Sequence, residues 1–354
     1  MLHYILKRLL ISIPTLFVIM LINFFIINLV PGGPLEQLLH RASSSEIDNA
    51  SFLDNDAIDS LISVTKKSKY DAATEHMRAM YGFDKPLAIR FFTTMKNYLL
   101  FDFGNSFFSG MKVIDVIKMH IPVSFSLALW STILTYLISI PLGIKKAVRR
   151  DGSFDIVTDI AVNALHAIPN FMLAILLLLL FANGGLFNIF PTRGFLSENW
   201  SELTSFAKIK DYFLHITLPV VSIVLGHLAF LVFLCKKSFI SELKKQYVVA
   251  AFAKGLSERK VLYMHVFRNA MLVAIVNFPI FLLHSFLHGS MIIEIVFSLN
   301  GLGLLSFEAI TNRDYPMIFA MLYIFTIFGL LIHILSDVLC FIVDKRVSFD
   351  GINP

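Results

Sequence analysis

A carboxylate and a pair of imidazoles fall near the end of one long apolar stretch of this sequence. A carboxylate at membrane depth is costly, so Glu294 is a candidate ligand for a cationic group; a structural ion pair with Arg313 is the alternative. His284 and His288 are four residues apart and share a helix face, a spacing that metal sites also use. No third ligand accompanies the two histidines, so no metal is predicted, and pore-lining polarity or hydrogen bonding between helices stays open.

Other ionisable residues in the apolar stretches are predicted to be structural. Asp159 and Asp337 lie about one helical turn or more from the cytoplasmic ends of their stretches, where contacts with neighbouring helices or snorkelling to the interface are favoured over substrate binding. His166, His227 and His333 are predicted to make polar contacts between helices. The sequence has no nucleophile motif of a hydrolase, so no catalytic residue is predicted.

The composition indicates that a membrane positions these residues. Of 354 residues, 56% are hydrophobic and only 16% are charged, whereas soluble domains have about 25% charged residues. The surplus of apolar surface requires lipid as its solvent. Because backbone groups in lipid must hydrogen-bond within the protein, long unbroken apolar runs predict helices. The predicted fold class is therefore an all-α polytopic membrane protein.

Six transmembrane helices fit the apolar runs, each long enough to cross about 30 Å of hydrocarbon. The predicted spans are Leu9–Val30, Pro122–Ile144, Ile156–Ala182, Leu214–Cys235, Met271–Val296 and Met317–Val343. Basic residues cluster beside the ends that would share one side, at Lys7, Arg8, Lys145, Lys146, Arg149, Arg150, within 236–270, and at Lys345 and Arg346. Because basic loops stay inside, both termini are predicted to be cytoplasmic. The first span is too long for the core of a signal peptide and is predicted to be uncleaved.

The spans divide the chain into four predicted regions. These are a first transmembrane helix (1–30), a periplasmic insert with interfacial helices (31–121), a five-helix core (122–343) with a cytoplasmic loop (236–270), and a cytoplasmic tail (344–354). The polar stretch Arg41–His76 is expected to be flexible or weakly helical. The aromatic spacing of Lys85–Gly104 favours helices at the outer interface. Prolines within the spans, Pro169 among them, permit kinks.

The loop between the fourth and fifth spans is predicted to form two short helices. Gly255 can end the first helix, because glycine adopts the left-handed conformation at no steric cost. Ser257 can cap the second helix, and Glu258 is favourable in its first turn. The helices mix apolar and basic residues, which suits docking of another protein; a basic hairpin on the membrane surface without a partner is the alternative.

This loop resembles the signature loop of permeases that work with binding proteins and ATPases, whose pattern is Glu-Ala-Ala, three residues, Gly. The match falls on Val249-Ala250-Ala251 and Gly255, with Val249 replacing the Glu, as is frequent in the dipeptide and oligopeptide branch. In that family the loop docks on the ATPase. The resemblance assigns this role to Ala250, Ala251, Lys254, Gly255, Ser257, Glu258, His265, Arg268 and Asn269.

Further segments resemble the same family. Residues 1–34 are similar to its first span, and a candidate outer structural motif is formed by Gly301, Gly303, Arg313, Asp314 and Tyr315. Within the family, Tyr136–Ile144 and Phe297–Gly303 look most similar to the Yej-type permease, which is associated with oligopeptides and the peptide antibiotic microcin C. Glu294, His284 and His288 are the candidates for the substrate path, with Glu294 as the candidate ligand of a peptide's amino terminus.

The resemblance implies the architecture and partners of a type I ABC importer in the bacterial inner membrane. It implies a homologous second permease, two ATP-binding cassette domains and a periplasmic peptide-binding protein as partners, with lipid around the spans and no nucleic acid. The sequence has no G-x-x-x-x-G-K-[ST] motif, so ATP-Mg is expected on the ATPase partner and no cofactor in this chain. The alternative is an ion-gradient-driven transporter with Glu294 or Asp337 as proton carrier, but the inverted repeats typical of that class are not evident.

Overall fold

The computed structural model describes residues 2–29, 86–287 and 291–343, and these residues are helical apart from connecting turns and two isolated β-bridges. In chain order the helices are α1 (Leu2–Leu29), α2 (Leu87–Leu99), α3 (Val113–Val148), α4 (Ser153–Ala167), α5 (Asn170–Phe181), α6 (Ser205–Leu243), α7 (Gln246–Ala253), α8 (Glu258–Lys260), a π-helical segment (Val261–Val266), α9 (Phe267–Leu287), α10 (Met291–Phe297), α11 (Leu302–Thr311) and α12 (Tyr315–Val343). A short 3-10 turn, Trp200–Glu202, precedes α6. The predicted all-α fold class is confirmed.

Among the described residues, five helices are long and apolar enough to cross a membrane, and the number rises to seven if each of two bent helix pairs forms one span. The predicted number of six falls within this range. The long helices continue through their internal prolines, as α3 does through Pro141 and α6 through Pro219. The predicted insert falls mostly in residues 30–85, outside the described residues, so its character stays a prediction.

The predicted third span, Ile156–Ala182, is not one continuous helix. Its residues form α4 and α5, which are bent by 95° relative to each other. The break lies at Ile168 and Pro169, both with extended backbone ψ values of 124° and 139°. Proline disfavours a helical conformation in the residue before it and offers no N–H to the preceding turn, so Pro169 ends α4 and begins α5.

Residues 288–290 of the predicted fifth span, Met271–Val296, lie outside the described residues, so its continuity stays a prediction. On either side of them, α9 extends to Leu287 and α10 begins at Met291. α10 and α11 form the second bent pair, with an angle of 88°. The prediction of a short second helix in the hairpin is wrong, because α8 continues through the π-helical segment into α9.

The described residues fall into two compact units. Unit one comprises the described parts of Met1–Arg8, Ile117–Glu308 and Ile327–Pro354. Its core is built around α6, which contacts α4, α5, α9 and α10. Ile223 and Val232 of α6 are fully buried there. Because α6 is apolar on nearly every side, it is covered by neighbouring helices, as expected for the central helix of a bundle.

Unit two comprises the described parts of Leu9–Val116 and Ala309–Thr326, and aromatic side chains hold it together. The ring of Phe91 in α2 packs edge-on against Phe17 and Phe24 of α1, at centroid distances of 5.7 and 5.3 Å. Tyr323 of α12 packs against Tyr98 and Phe103 in the same way. Edge-to-face pairs of this kind are each favourable by about 1 kcal/mol beyond the burial of their area.

Candidate functional site: a docking hairpin and the turns that support it

The first candidate site is the hairpin (residues 246–269), which begins with α7. α7 ends at Ala253, and Gly255, two residues further on, has a φ of +78° in the left-handed region. The N–H of Gly255 donates to the carbonyl of Phe252 at 2.9 Å, and the N–H of Leu256 donates to the carbonyl of Ala251 at 3.3 Å. These two bonds form a Schellman motif, which satisfies carbonyls at the end of a helix. The predicted role of Gly255 as a helix terminator is confirmed.

Ser257 begins the second arm of the hairpin, as predicted. Its backbone is extended, with φ −65° and ψ 149°, and its carbonyl accepts a hydrogen bond from the N–H of Val261 at 3.0 Å. The Ser257 side chain makes no capping hydrogen bond, so the predicted position of the cap is confirmed but the predicted side-chain cap is not. Glu258 occupies the first turn, where a carboxylate is favourable beside the positive end of the helix dipole.

The inner face of the hairpin is apolar and packed. Val248 and Ala251 of α7 and Val261 and Val266 of the second arm are buried in one cluster, together with Phe239 of α6. The hairpin is therefore attached to α6 and to the helix that it precedes, rather than lying free. A displacement of the hairpin would have to move these helices with it, because packed interiors resist deformation.

Polar contacts fix the base of the hairpin. The buried carboxylate of Glu242 accepts hydrogen bonds from Lys245 and from the hydroxyl of Tyr247, the latter at 2.8 Å. Tyr247 is also hydrogen-bonded with the side chain of Asn269, across the two arms, and burial raises the pKa of its hydroxyl. The hydroxyl of Ser238 in α6 donates to the carbonyl of Ala270 at 2.7 Å. These bonds join both arms to the end of α6.

The outer face of the hairpin exposes apolar side chains between basic ones. Phe252 is 44% exposed, and Tyr263 and Met264 are 54% and 69% exposed. A surface depression of about 520 Å³ is lined by Ser257, Arg259, Lys260, Tyr263 and Met264. Of the residues assigned to docking, only Ala251 is buried; those at the surface are Ala250, Lys254, Gly255, Ser257, Glu258, His265, Arg268 and Asn269. Exposed apolar side chains grouped in this way are typical of surfaces that bind another protein.

A second candidate region is the glutamate turn (residues 291–304), which joins α10 to α11. The Glu294 side chain is fully buried. One carboxylate oxygen accepts a hydrogen bond from the hydroxyl of Ser124 at 2.6 Å, and the other accepts one from the N–H of Leu304 at 2.9 Å. The hydroxyl oxygen of Ser124 in turn accepts a bond from the N–H of Leu302 at 2.7 Å. Glu294 thus neutralises the N-terminal end of α11, where a negative charge is favourable.

Two glycines make room for this carboxylate. A Cβ on Gly301 would lie 2.5 Å from the carboxylate of Glu294 and from the Ser124 hydroxyl, and one on Gly303 would lie 2.5 Å from the backbone of Met291. Real Cβ atoms do not approach other atoms so closely, so both positions require glycine. The geometry favours the structural role for Glu294, with Ser124 and the α11 amides as partners. Its role as a substrate ligand stays a prediction.

The remaining residues of the predicted outer motif lie in unit two. Asp314 is buried and accepts hydrogen bonds from the hydroxyl of Ser106 and from the N–H of Phe107, the latter at 3.1 Å. Arg313 is exposed, with a φ of +52°, and Tyr315 stacks on Phe319. Asp314 therefore fastens the loop after α2 to the start of α12, which supports a structural function for this motif.

The family of the chain follows from a comparison with known protein families. The model of the family described as "Binding-protein-dependent transport system inner membrane component" matches residues 139–349, more than half of the chain, including the hairpin and the glutamate turn. The chain belongs to this family. Members of the binding-protein-dependent permease family are subunits that span the inner membrane and are not enzymes, and they operate with ATPase and binding-protein partners.

Whole-length relatives of this permease agree with the family assignment. The chain is 45% identical to an inner membrane ABC transporter permease protein YejB of Escherichia coli O157:H7, covering 98% of this chain and 99% of the relative. It is 46% identical to a peptidoglycan transport system permease protein YejB of Agrobacterium fabrum, covering 98% of each chain. An oligopeptide transport system permease protein AppB of Bacillus subtilis is 31% identical over 98% of this chain and 99% of that one. The predicted resemblance to Yej-type permeases is confirmed.

A solved structure supports the permease fold. The chain is similar to one from the inward-facing MetNI methionine ABC transporter, with a TM-score of 0.51 and 15% sequence identity, covering 65% of this permease and 97% of that chain. This likeness confirms the importer permease architecture and nothing about the substrate.

The permease also contains a group of charges that the sequence did not reveal, the lysine–aspartate cluster (Lys146, Asp155, Asp159 and Lys236). The fully buried ammonium group of Lys146 lies 3.1 Å from the carboxylate of Asp155 and 2.7 Å from that of Asp159. The ammonium group of Lys236 lies 2.7 and 3.0 Å from the same two carboxylates. The cluster joins α3, α4 and α6 at their predicted cytoplasmic ends.

In the sequence, these lysines mark only the predicted cytoplasmic side. Asp159 was expected to contact neighbouring helices, and its contacts with Lys146 and Lys236 confirm that expectation. The expected helix contact of Asp337 is also confirmed, because its carboxylate lies 2.9 Å from the guanidinium of Arg8. Two lysines and two aspartates at the ends of three consecutive spans are a signal in the sequence, but their pairing depends on how the helices pack.

The histidines of the predicted substrate path have different outcomes. His284 is exposed on α9, and His288 lies outside the described residues. Within the described part of the chain, no three His, Cys, Asp or Glu side chains are grouped so as to hold a metal ion.

Proposed function

We propose that this chain is one of two permease subunits of an ATP-driven importer that takes up peptides delivered by a periplasmic binding protein. Its partners are a homologous second permease and two ATP-binding cassette domains, and ATP-Mg is bound by those domains. Both termini are cytoplasmic, so the hairpin faces the ATPase. Oligopeptides are the main substrate class, with peptide antibiotics such as microcin C and peptide-containing fragments of peptidoglycan as further candidates.

The observation that carries the proposal is the two-sided construction of the hairpin. Its outer face exposes Phe252, Tyr263 and Met264 among basic residues, while its inner face is packed and bonded to α6 and α9. A hairpin lying on lipid without a partner would not need its base fixed to two spans. A hairpin that transmits force needs both an open face for the partner and a firm attachment to the spans.

The mechanism that this geometry supports is a lever. When the cassette domains close on ATP, they carry the hairpin with them, and the buried contacts of Val248, Val261 and Phe239 pass the movement to α6 and α9. The spans then alternate between outward and inward access. Substrate passes between this chain and the second permease.

The ion-gradient alternative gains no support from the carboxylates it requires. Glu294 is bonded to Ser124 and to the Leu304 amide, and Asp337 lies beside Arg8. A proton carrier must release and take up its proton during transport, whereas each of these carboxylates is engaged with a structural partner. The peptide names of the relatives also favour import of peptides.

The deciding experiment is an ATPase assay of the complete transporter in liposomes, with binding protein on the outside and each peptide class added in turn. Peptide-loaded binding protein should stimulate ATP hydrolysis, and peptide should accumulate without an ion gradient. Uptake that needs a proton gradient and no ATP would instead establish the alternative.

Gly255 offers a matched pair of variants for the docking role. An added Cβ meets no atom within 4 Å there, so the position has space, and its only demand is the positive φ. Gly255→Asn should keep the stimulated ATPase, because asparagine tolerates the left-handed region. Gly255→Trp adds bulk to the docking face and should abolish stimulation while the complex still assembles. Normal ATP-driven uptake by Gly255→Trp would contradict the lever.

A further inference from the structure

Unit one presents a polar surface at membrane depth that the proposed function does not yet use. We name it the histidine face; it consists of His166 in α4, Asn170 in α5, His227 in α6 and His284 in α9. His166 and His284 are exposed, and Asn170 and His227 are partly exposed. Each imidazole lies about 20–26 Å from the predicted cytoplasmic end of its helix, counted from Ser153, Leu243 and Phe267 at 1.5 Å per residue. The three histidines therefore occupy a similar level of the bundle.

The break between α4 and α5 assembles this surface. His166 lies just before the break and Asn170 just after it, and both reach α6 at Gly226. The Nδ1 atom of His166 lies 3.4 Å from the carbonyl of Gly226. A Cβ on Gly226 would lie only 1.8 Å from the side-chain oxygen of Asn170, so glycine is required for Asn170 to pack there. The polar groups are thus held by the fold and are not chance occupants of a helix surface.

His227 connects the two sides of the face. Its ring packs edge-on against Phe281 of α9, the helix that carries His284, at a centroid distance of 5.3 Å. Its Nδ1 atom lies 3.0 Å from the carbonyl of Ile223. A carbonyl can only accept, so Nδ1 carries the proton in both His166 and His227. In the neutral rings the other nitrogen, Nε2, is then an acceptor.

Exposed polar side chains at this depth are costly against lipid, so membrane proteins turn them toward a water-filled path or a partner. Two carboxylates of unit one are not presented in this way: Glu294 is buried in the glutamate turn, and Asp159 is paired in the lysine–aspartate cluster. The histidine face instead offers the Nε2 acceptors of His166 and His227, with no fixed negative charge. This chemistry matches groups that donate N–H, which every peptide carries along its backbone and at its amino terminus.

We propose that the histidine face is the part of this permease that contacts the peptide in transit, accepting hydrogen bonds from its backbone N–H groups and amino terminus. The inference rests on the proposed function and deepens it. It replaces Glu294 as the candidate substrate contact by a surface built from α4, α5, α6 and α9. Because backbone groups are common to all peptides, this contact accepts many sequences.

Cysteine labelling in the complete transporter tests the location of the path. Starting from a chain with Cys235→Ala and Cys340→Ser, cysteine is placed at His166, at His284 or, as a control, at Ile160. Ile160 is 66% exposed on the same helix as His166 but about 120° around it. His166→Cys and His284→Cys should react at least tenfold faster than Ile160→Cys with a water-soluble maleimide. Transported peptide should slow only the first two reactions.

The chemistry of the contact is tested by uptake. His166→Leu removes the acceptor and should raise the peptide concentration for half-maximal uptake about fivefold, the effect of one lost hydrogen bond. His166→Gln keeps an acceptor and should stay near the unmodified value. If a cysteine variant does not assemble, the comparison of His166→Leu with His166→Gln still tests whether the histidine face contacts the peptide.

The outcomes separate this inference from the proposed function. Slow labelling that peptide does not change, or equal uptake by His166→Leu and His166→Gln, overturns the histidine face while peptide-stimulated ATPase activity leaves the importer standing. An unmodified transporter whose ATPase responds to no peptide overturns both.

Discussion

The hairpin and the glutamate turn both join two helices through a glycine-containing segment, yet they use glycine in opposite ways. At Gly255 an added Cβ meets nothing within 4 Å, and glycine is favoured there because the backbone has a positive φ. At Gly301 an added Cβ would collide with the Glu294 carboxylate at 2.5 Å. In the glutamate turn, which we call closed, the Glu294 carboxylate is buried and hydrogen-bonded. The hairpin is packed on its inner face and exposed on its outer face, which we call open. An open face indicates a partner, and a closed turn indicates a structural role.

The lysine–aspartate cluster contains the fully buried Lys146, and breaking it should have the largest effect on stability. Lys146→Met leaves Asp155 buried with one ammonium partner fewer, and losing one partner of a buried ion pair costs about 3–5 kcal/mol. We expect a strong fall in the thermal unfolding temperature of the purified complex. The adjacent Lys145→Met is the control, since Lys145 is exposed and lies over the ring of Phe154. Equal effects of the two variants would show that the cluster does not stabilise the bundle.

The two glycines should then differ. Gly301→Ala forces the buried carboxylate or the Ser124 hydroxyl to move, and overpacking of this kind costs about 1–3 kcal/mol. The alanine of Gly255→Ala has space, so the variant should lose only the cost of a positive φ, about 1 kcal/mol of stability. Thermal unfolding of the two variants compares them directly. A larger loss for Gly255→Ala would reverse the assignment of which region is closed.

A smaller effect is expected at the base of the hairpin. Tyr247→Phe removes the hydrogen bonds of the tyrosine hydroxyl with Glu242 and Asn269. The loss should be about 1 kcal/mol, because Glu242 keeps its hydrogen bond from Lys245. The chain remains folded, so the variant shows whether a looser base weakens coupling. We expect a lower ratio of stimulated to basal ATPase activity in liposomes. Unchanged coupling at reduced stability would mean that the base only stabilises and does not transmit movement.

The smallest effect on stability should come from the open face of the hairpin. Phe252→Ser removes an apolar side chain that is 44% exposed, and surface substitutions away from bonded features usually change stability by about 0.5 kcal/mol or less. Its effect on function should be large, because under the proposed function Phe252 contacts the ATPase. Co-purification of the ATPase with the permease measures this loss. Undiminished co-purification would place the docking surface elsewhere on the chain.

Composition and local chemistry determined much of this protein by themselves. The long apolar runs required helices because lipid cannot hydrogen-bond the backbone, and the basic loops predicted an orientation. Gly255 and Ser257 were located as the end and beginning of helices because capping depends on residues close in sequence. The break at Pro169 was only foreseen as a permitted kink, since its 95° angle depends on neighbouring helices.

The tertiary structure alone decided which polar residues meet. Lys146, Asp155 and Lys236 come from three helices, and Glu294 meets Ser124 over a sequence separation of 170 residues. The sequence marked Glu294 as exceptional but gave no means of telling a ligand from a helix cap. Whether a charge is buried and bonded or left open depends on which helices pack beside it, and packing is fixed by contacts between residues distant along the chain.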